Sequence, residues 1–290
     1  MTQKFLSRIS AAVLVAAVAV CSFAATASAH TGEWAKFNYC PSTTAGVFKC
    51  LQSVTSGGEI ILGNKTVPIV NPVTLQGGIS EANEEYVSTF YGATNGETLS
   101  KTAQPVPGGL LGIVPPEGSP PLVKSLSKFF FENGLTGVNA TLELAKPASE
   151  IRVSQLNLVF EEGVALKLPV KVHLQNPFLG NSCYVGSSSS PLIWNLTTGT
   201  TSPPAPNKPI AGIGGSITLK EEAQIAEVTG NKMVENGWSA PSASGCGGIL
   251  SFLVNPIINA QIGLPAAAGK NTAILNNTIS IALSEAVNAH

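Results

Sequence analysis

The chain has 290 residues and a net charge of −1, with 11% charged and 44% hydrophobic residues. All 17 acidic residues are glutamate, the arginines are Arg8 and Arg152, and the histidines are His30, His173 and His290. This composition leaves no Asp-based calcium loop, no Ser-His-Asp triad, no paired-arginine phosphate clamp, and no basic footprint for nucleic acid or anionic lipid.

Residues 1–29 read as a secretory signal. Lys4 and Arg8 form the positive start, Ala11 to Val20 the apolar core, and Ala27-Ser28-Ala29 the small-residue cleavage pattern. The apolar run is shorter than the roughly 20 residues a membrane span needs, so no transmembrane span is expected after cleavage. Cutting after Ala29 makes His30 the first residue. It also removes Lys4 and Arg8, leaving 14 basic against 17 acidic side chains. The remaining stretch, 30–290, carries Cys40, Cys50, Cys183 and Cys246. Four cysteines allow three pairings. Local closure favours Cys40–Cys50, which leaves Cys183–Cys246, and both suit an oxidising compartment.

After Cys50, "EIILGNKTVPI" places apolar runs on either side of Gly63-Asn64, the pattern of a tight hairpin. "NPVTLQGG" follows as a short strand, and residues 81–98 read as mixed loop and strand. Residues 105–121 hold ten Pro or Gly in seventeen positions, which excludes a regular helix or central strand. Leu110, Leu111, Ile113 and Val114 make this stretch a strap across a sheet rather than a free linker. In "LVKSLSKFFFENG", Leu122, Leu126, Phe129 and Phe130 fall at helical spacing, with Asn133-Gly134 as a stop.

Strands resume in "GVNATLELA". In "VALKLPVKVHLQNP" the residues Val164, Leu166, Leu168, Val170, Val172 and Leu174 share one face, with Lys167, Lys171, His173 and Gln175 on the other. Pro169 predicts an edge strand or a bulge, and the change of parity between Val153 and Leu156 predicts another bulge. "SSSSPLIWNL" and "GGSITLK" read as strands separated by a Pro-rich loop. "GGILSFLVNPIINAQIGLP" reads as a buried helix interrupted at Pro256 or as two core strands, and "TAILNNTISIAL" closes as a strand or hairpin. The expected fold is a mainly β, antiparallel sandwich or barrel-like domain with one or two short helices; no internal repeat is visible, which argues against a solenoid or propeller, and 30–290 reads as one domain.

Three chemistries merit testing against the residues. An N-terminal His30 with a second ring could form the copper brace of lytic polysaccharide monooxygenases. His30 and His173 are therefore weak metal candidates, although His173 lies beside Lys167 and Lys171, whose ammonium groups oppose a metal ion. Ser125 to Lys128 matches S-x-x-K, but its S-D-N and K-T-G companions are missing. The pairs Glu84-Glu85, Glu161-Glu162 and Glu221-Glu222 are adjacent, so within a strand each would point to opposite faces, the wrong arrangement for a glycosidase. No catalytic residue and no cofactor is expected.

"EIILGNKTVPIVNPVTLQGG", "LSKTAQPVPGGLLGI" and the region from "VHLQNPFLGNSCYVGSSSSP" to "SPPAPNKPI" together resemble a set of secreted proteins of high-GC Gram-positive bacteria. The resemblance implies compartment and lineage and assigns no active residue. The expectation is a secreted or cell-wall-associated, non-enzymatic binding or structural protein, with an envelope component or an apolar ligand as partner. A carrier of an apolar molecule or lipid is one alternative, and a histidine-brace copper oxidase is another.

Overall fold

The computed structural model describes residues 29–127, 129, 135–221 and 224–290. The leader expected over 1–29 lies outside them except for Ala29, and so do Lys128, Phe130, Asn133, Gly134 and Glu222.

In chain order the strands are β1 (Lys49–Leu62), β2 (Lys65–Pro68), β3 (Val73–Ile79), β4 (Ser88–Gly92), β5 (Ala103–Pro105), β6 (Asn139–Leu144) and β7 (Arg152–Val153). They continue with β8 (Leu166–Gln175), β9 (Tyr184–Val185), β10 (Leu192–Leu196), β11 (Ser216–Lys220), β12 (Ile225–Glu235), β13 (Ala243–Ser244) and β14 (Thr272–Leu283). Among the described residues, four short α-helices accompany them: α1 (Pro121–Ser127), α2 (Gln155–Phe160), α3 (Ser251–Ile262) and α4 (Ser284–Asn288). The fold is mainly antiparallel β.

Hydrogen-bonded neighbours run β11-β12-β14-β1-β3-β4-β7-β8-β6-β5, with β10 also paired to β8. Just beyond β10, Thr197 exchanges two backbone hydrogen bonds with Val234 of β12, at 3.0 and 2.8 Å. That bridge returns the path to its start, so β12, β14, β1, β3, β4, β7, β8 and β10 enclose one interior. β11 and β5 remain at the ends of the path as strand edges. Residues on both sides of the 105–121 strap, from Leu51 to Ile279, belong to one buried cluster.

Turn chemistry explains the first hairpin. Gly63 adopts φ +57°, and a side chain there would collide with the carbonyl oxygen of Ile262, so glycine is needed for both the turn and the approach of α3. Cys40 is bonded to Cys50 (Cα–Cα 5.6 Å) and Cys183 to Cys246 (Cα–Cα 4.0 Å). The first bond joins a small cluster around Trp34, Phe37 and Val287 that packs on the outer face of the sheet, over Cys50, Ala282 and Ile225 of β1, β14 and β12.

Four expectations are corrected. β8 alternates as its sequence predicts from Leu166 to Leu174, although Val164 lies before the strand and is exposed; it is a central strand rather than an edge, flanked by β10 on one side and by β6 and β7 on the other. Pro169 is tolerated because it falls between the last β7 partner, at Lys167, and the first β6 partner, at Val170. Its carbonyl accepts from Ala145 N at 3.0 Å, so its missing donor faces that junction. The parity change at 153–156 is no bulge: β7 gives way to α2, whose N-cap Ser154 accepts from Asn157 N through its hydroxyl at 3.2 Å. The stretch containing Pro256 is a helix on the surface, with only Ile258 and Ile262 buried. Likewise α1 forms at the predicted place, but Leu122 and Leu126 face outward.

Candidate functional site

The alternation that builds the strands also builds a cavity. Ile60 and Leu62 of β1, Leu142 of β6, and Val172 and Leu174 of β8 turn inward at one end of the ring. Leu110 of the strap and Ile258 and Ile262 of α3 cover that end, leaving a cavity of about 70 Å³. A second cavity of about 30 Å³ shares Leu142 with the first. A third, of about 20 Å³, shares Ser53, Leu75, Leu166 and Met233 with the second. The three lie in a line along β1, from Leu62 down to Leu51.

The walls are apolar, and the polar groups within them are already engaged. Gln104, almost fully buried, accepts from Val70 N (2.9 Å) and Asn71 N (3.0 Å) and donates to Asn71 O (2.7 Å). Thr141 donates to Gln175 at 3.1 Å. Two polar side chains at the first cavity remain uncommitted among the described residues: the Lys65 ammonium and the Gln261 amide. The strap passes over Lys65 so closely that a side chain at Gly112 would meet Nζ. An apolar bore with a cation and an amide at its mouth suits an amphiphile whose head is polar or anionic.

No protein family, no curated protein and no solved structure matches this chain.

The two histidine candidates sit in separate settings. The backbone nitrogen of His30 donates to Asn38 Oδ1 at 2.6 Å, and its buried Nδ1 has no partner among the described residues. His173 stacks on Tyr184 with ring centroids 4.3 Å apart and holds Nδ1 3.4 Å from Glu143 Oε1. Lys171 binds the other oxygen of that carboxylate at 3.2 Å. Burial raises the Tyr184 phenol above its ordinary pKa, and the Glu143 charge adds to the effect. His290 instead stacks on Trp34 at 4.2 Å. Among the described residues, no three His, Cys, Asp or Glu side chains gather into a group able to hold a metal ion.

A separate groove of about 240 Å³ on the outside contains Asn195, Thr197, Thr201 and Glu235. Desolvation raises the Glu235 pKa, while hydrogen bonds from Gly237 N (2.6 Å) and Asn195 N (3.2 Å) oppose the shift. Glu235 is the one titratable side chain lining this groove among the described residues, so the two-carboxylate arrangement of a glycosidase is not assembled there. Of the adjacent glutamates, Glu161 accepts from Gly214 N at 2.6 Å, a tie between segments.

Sequence reasoning missed Lys65, Gln261 and the covering role of α3. The available signal was a helix whose asparagines, Asn255 and Asn259, recur four residues apart within an otherwise apolar run.

Proposed function

We propose that this protein is exported and, without catalysing a reaction, binds a single-chain amphiphile, with the chain inside the ring and the polar head at Lys65 and Gln261. The observation that carries the reading is the line of three apolar cavities running inward from those two groups. The three cavities together fall well below the about 300–1,000 Å³ of cavities for drug-sized ligands, so a ring system is excluded and a single chain enters only as side chains between them, Leu142 first, move aside. The signal pattern of residues 1–29 and the two disulfides support export to an oxidising compartment. The same reading takes the chain to be one of the secreted proteins of high-GC Gram-positive bacteria that its sequence resembles.

Native mass spectrometry with palmitate tests the proposal. The protein should hold one palmitate, and Leu142→Trp, which fills the junction of the first two cavities, should abolish the adduct while leaving the fold intact. Lys65→Met should weaken binding of palmitate more than binding of the corresponding alcohol. Absence of an adduct on the folded wild type would overturn the reading.

A further inference from the structure

Helix α3 is apolar on both its inner and its outer side. Its asparagines are turned to the body of the protein: Asn255 accepts from Cys246 N at 2.9 Å, and Asn259 accepts from Ala243 N at 2.7 Å while donating to Ala243 O at 3.2 Å. Val254, Ile258 and Ile262 pack against the core on the same side, and the remaining large apolar side chains point the other way. Ile249, in the turn leading into α3, is 95% exposed, Phe252 is 70% exposed, and Leu253 and Ile257 are also exposed. A surface helix in water has one apolar stripe, facing the core, and a polar outer side, which α3 lacks.

Two neighbouring segments extend this surface. Asn176 donates to Leu135 O at 2.8 Å and to Gly137 O at 2.7 Å, drawing the segment before β6 against the loop after β8. That loop carries the exposed Phe178, and it is tied to the start of α3 by a hydrogen bond from Gly247 N to Leu179 O (2.8 Å) and by the Cys183–Cys246 bond. Leu135, Phe178 and the outer side of α3 therefore form one end of the molecule. The chain supplies no charge to the two longer segments: residues 174–207 and 236–269 contain no Lys, Arg, Asp or Glu.

We propose that this end docks on a lipid bilayer, with α3 lying along the interface and Ile249 and Phe252 below the headgroups. A protein partner would require about one hydrogen bond per 100–200 Å² and a polar rim. The outer side of α3 offers little for such bonds, because Asn255 and Asn259 are spent inward. Hydrocarbon requires none, and these two uncharged segments enter it with no ion of their own to desolvate. Docking is therefore insensitive to salt and to anionic lipid. The inference goes beyond the cavity and does not depend on its occupation.

The experiment is flotation with phosphatidylcholine vesicles, using the protein that begins at His30 and so retains both buried clusters and both disulfides. The wild type should float with the vesicles equally at low and high salt. The double variant Ile249→Ser, Phe252→Ser should bind at least about tenfold more weakly, since each side chain it removes is a large apolar one. Both positions are exposed, so the variant should keep its melting temperature. A folded wild type that stays out of the vesicle fraction would overturn the proposal. So would a concentration-dependent dimer, abolished by the same double variant, in place of vesicle binding. Leu142→Trp separates the two readings: vesicle binding that persists without palmitate uptake upholds docking on its own.

Discussion

Asn277 donates its side-chain amide to Asn231 Oδ1 at 3.0 Å in the buried middle of the ring. The pair is part of a longer chain of bonds. Thr55 donates to Asn277 Oδ1 at 2.6 Å, and Asn231 donates onward to Gly214 O at 3.0 Å. The chain sits where the register shifts, between Thr55 and Gly57 in β1 and between Val228 and Asn231 in β12. A β-bulge leaves ladder groups unpaired, and these side chains fill part of that gap. Replacing Asn277 with Leu strands Thr55 and Asn231 in the core. We expect a loss of about 2–4 kcal/mol, measured as a lower denaturant midpoint, because each buried polar group left unsatisfied costs about 1–3 kcal/mol.

The disulfides should differ in both magnitude and place of action. Cys183–Cys246 spans 63 positions and Cys40–Cys50 spans 10. On loop entropy, removal should cost about 4 and 3 kcal/mol respectively. Replacing Cys183 and Cys246 with Ser should also raise amide exchange over residues 247–262, because that bond fastens the start of α3 to the loop after β8. Replacing Cys40 and Cys50 should leave exchange there unchanged.

The pH dependence has two opposing parts. Hydrogen bonds from Lys220 and then Lys36 hold Glu33 below the ordinary carboxylate range, and Lys220 does the same for Glu227. A depressed carboxylate contributes stability above its unfolded pKa and loses it as pH falls through the folded value. Lys220→Met should therefore flatten the acid limb of a stability profile, and high salt should mimic it because these groups are exposed.

Glu235 behaves in the opposite sense. Its pKa is raised by desolvation, so its contribution is full below the unfolded value and is lost as pH rises through the folded one. Glu235→Gln should gain on the wild type as pH rises from about 4 to 7. A difference that stays constant across that range would contradict the assignment.

Legibility in the sequence followed local periodicity. β8 could be read because six alternating apolar residues outweigh one proline, although its central position could not: that depends on where β7 ends and β6 begins. β12 escaped notice because its register shift around Gly230 breaks the alternation that marks a strand. The helix at 251–262 was one of two readings, but its outward apolar side was not visible, since exposure there follows from what Asn255 and Asn259 bind. The cavity draws Leu62, Leu110, Leu142, Leu174 and Ile262 from across 200 positions of sequence, and no local pattern reports their meeting.

The most direct test of the central claim is an isotope-edited nuclear Overhauser experiment with ¹³C-labelled palmitate. Contacts from the chain to the methyl groups of Ile60, Leu142, Val172 and Leu174 are predicted, with the carboxylate end near Lys65. Contacts confined to Ile249 and Ile257, or none on a folded protein, would contradict an interior site.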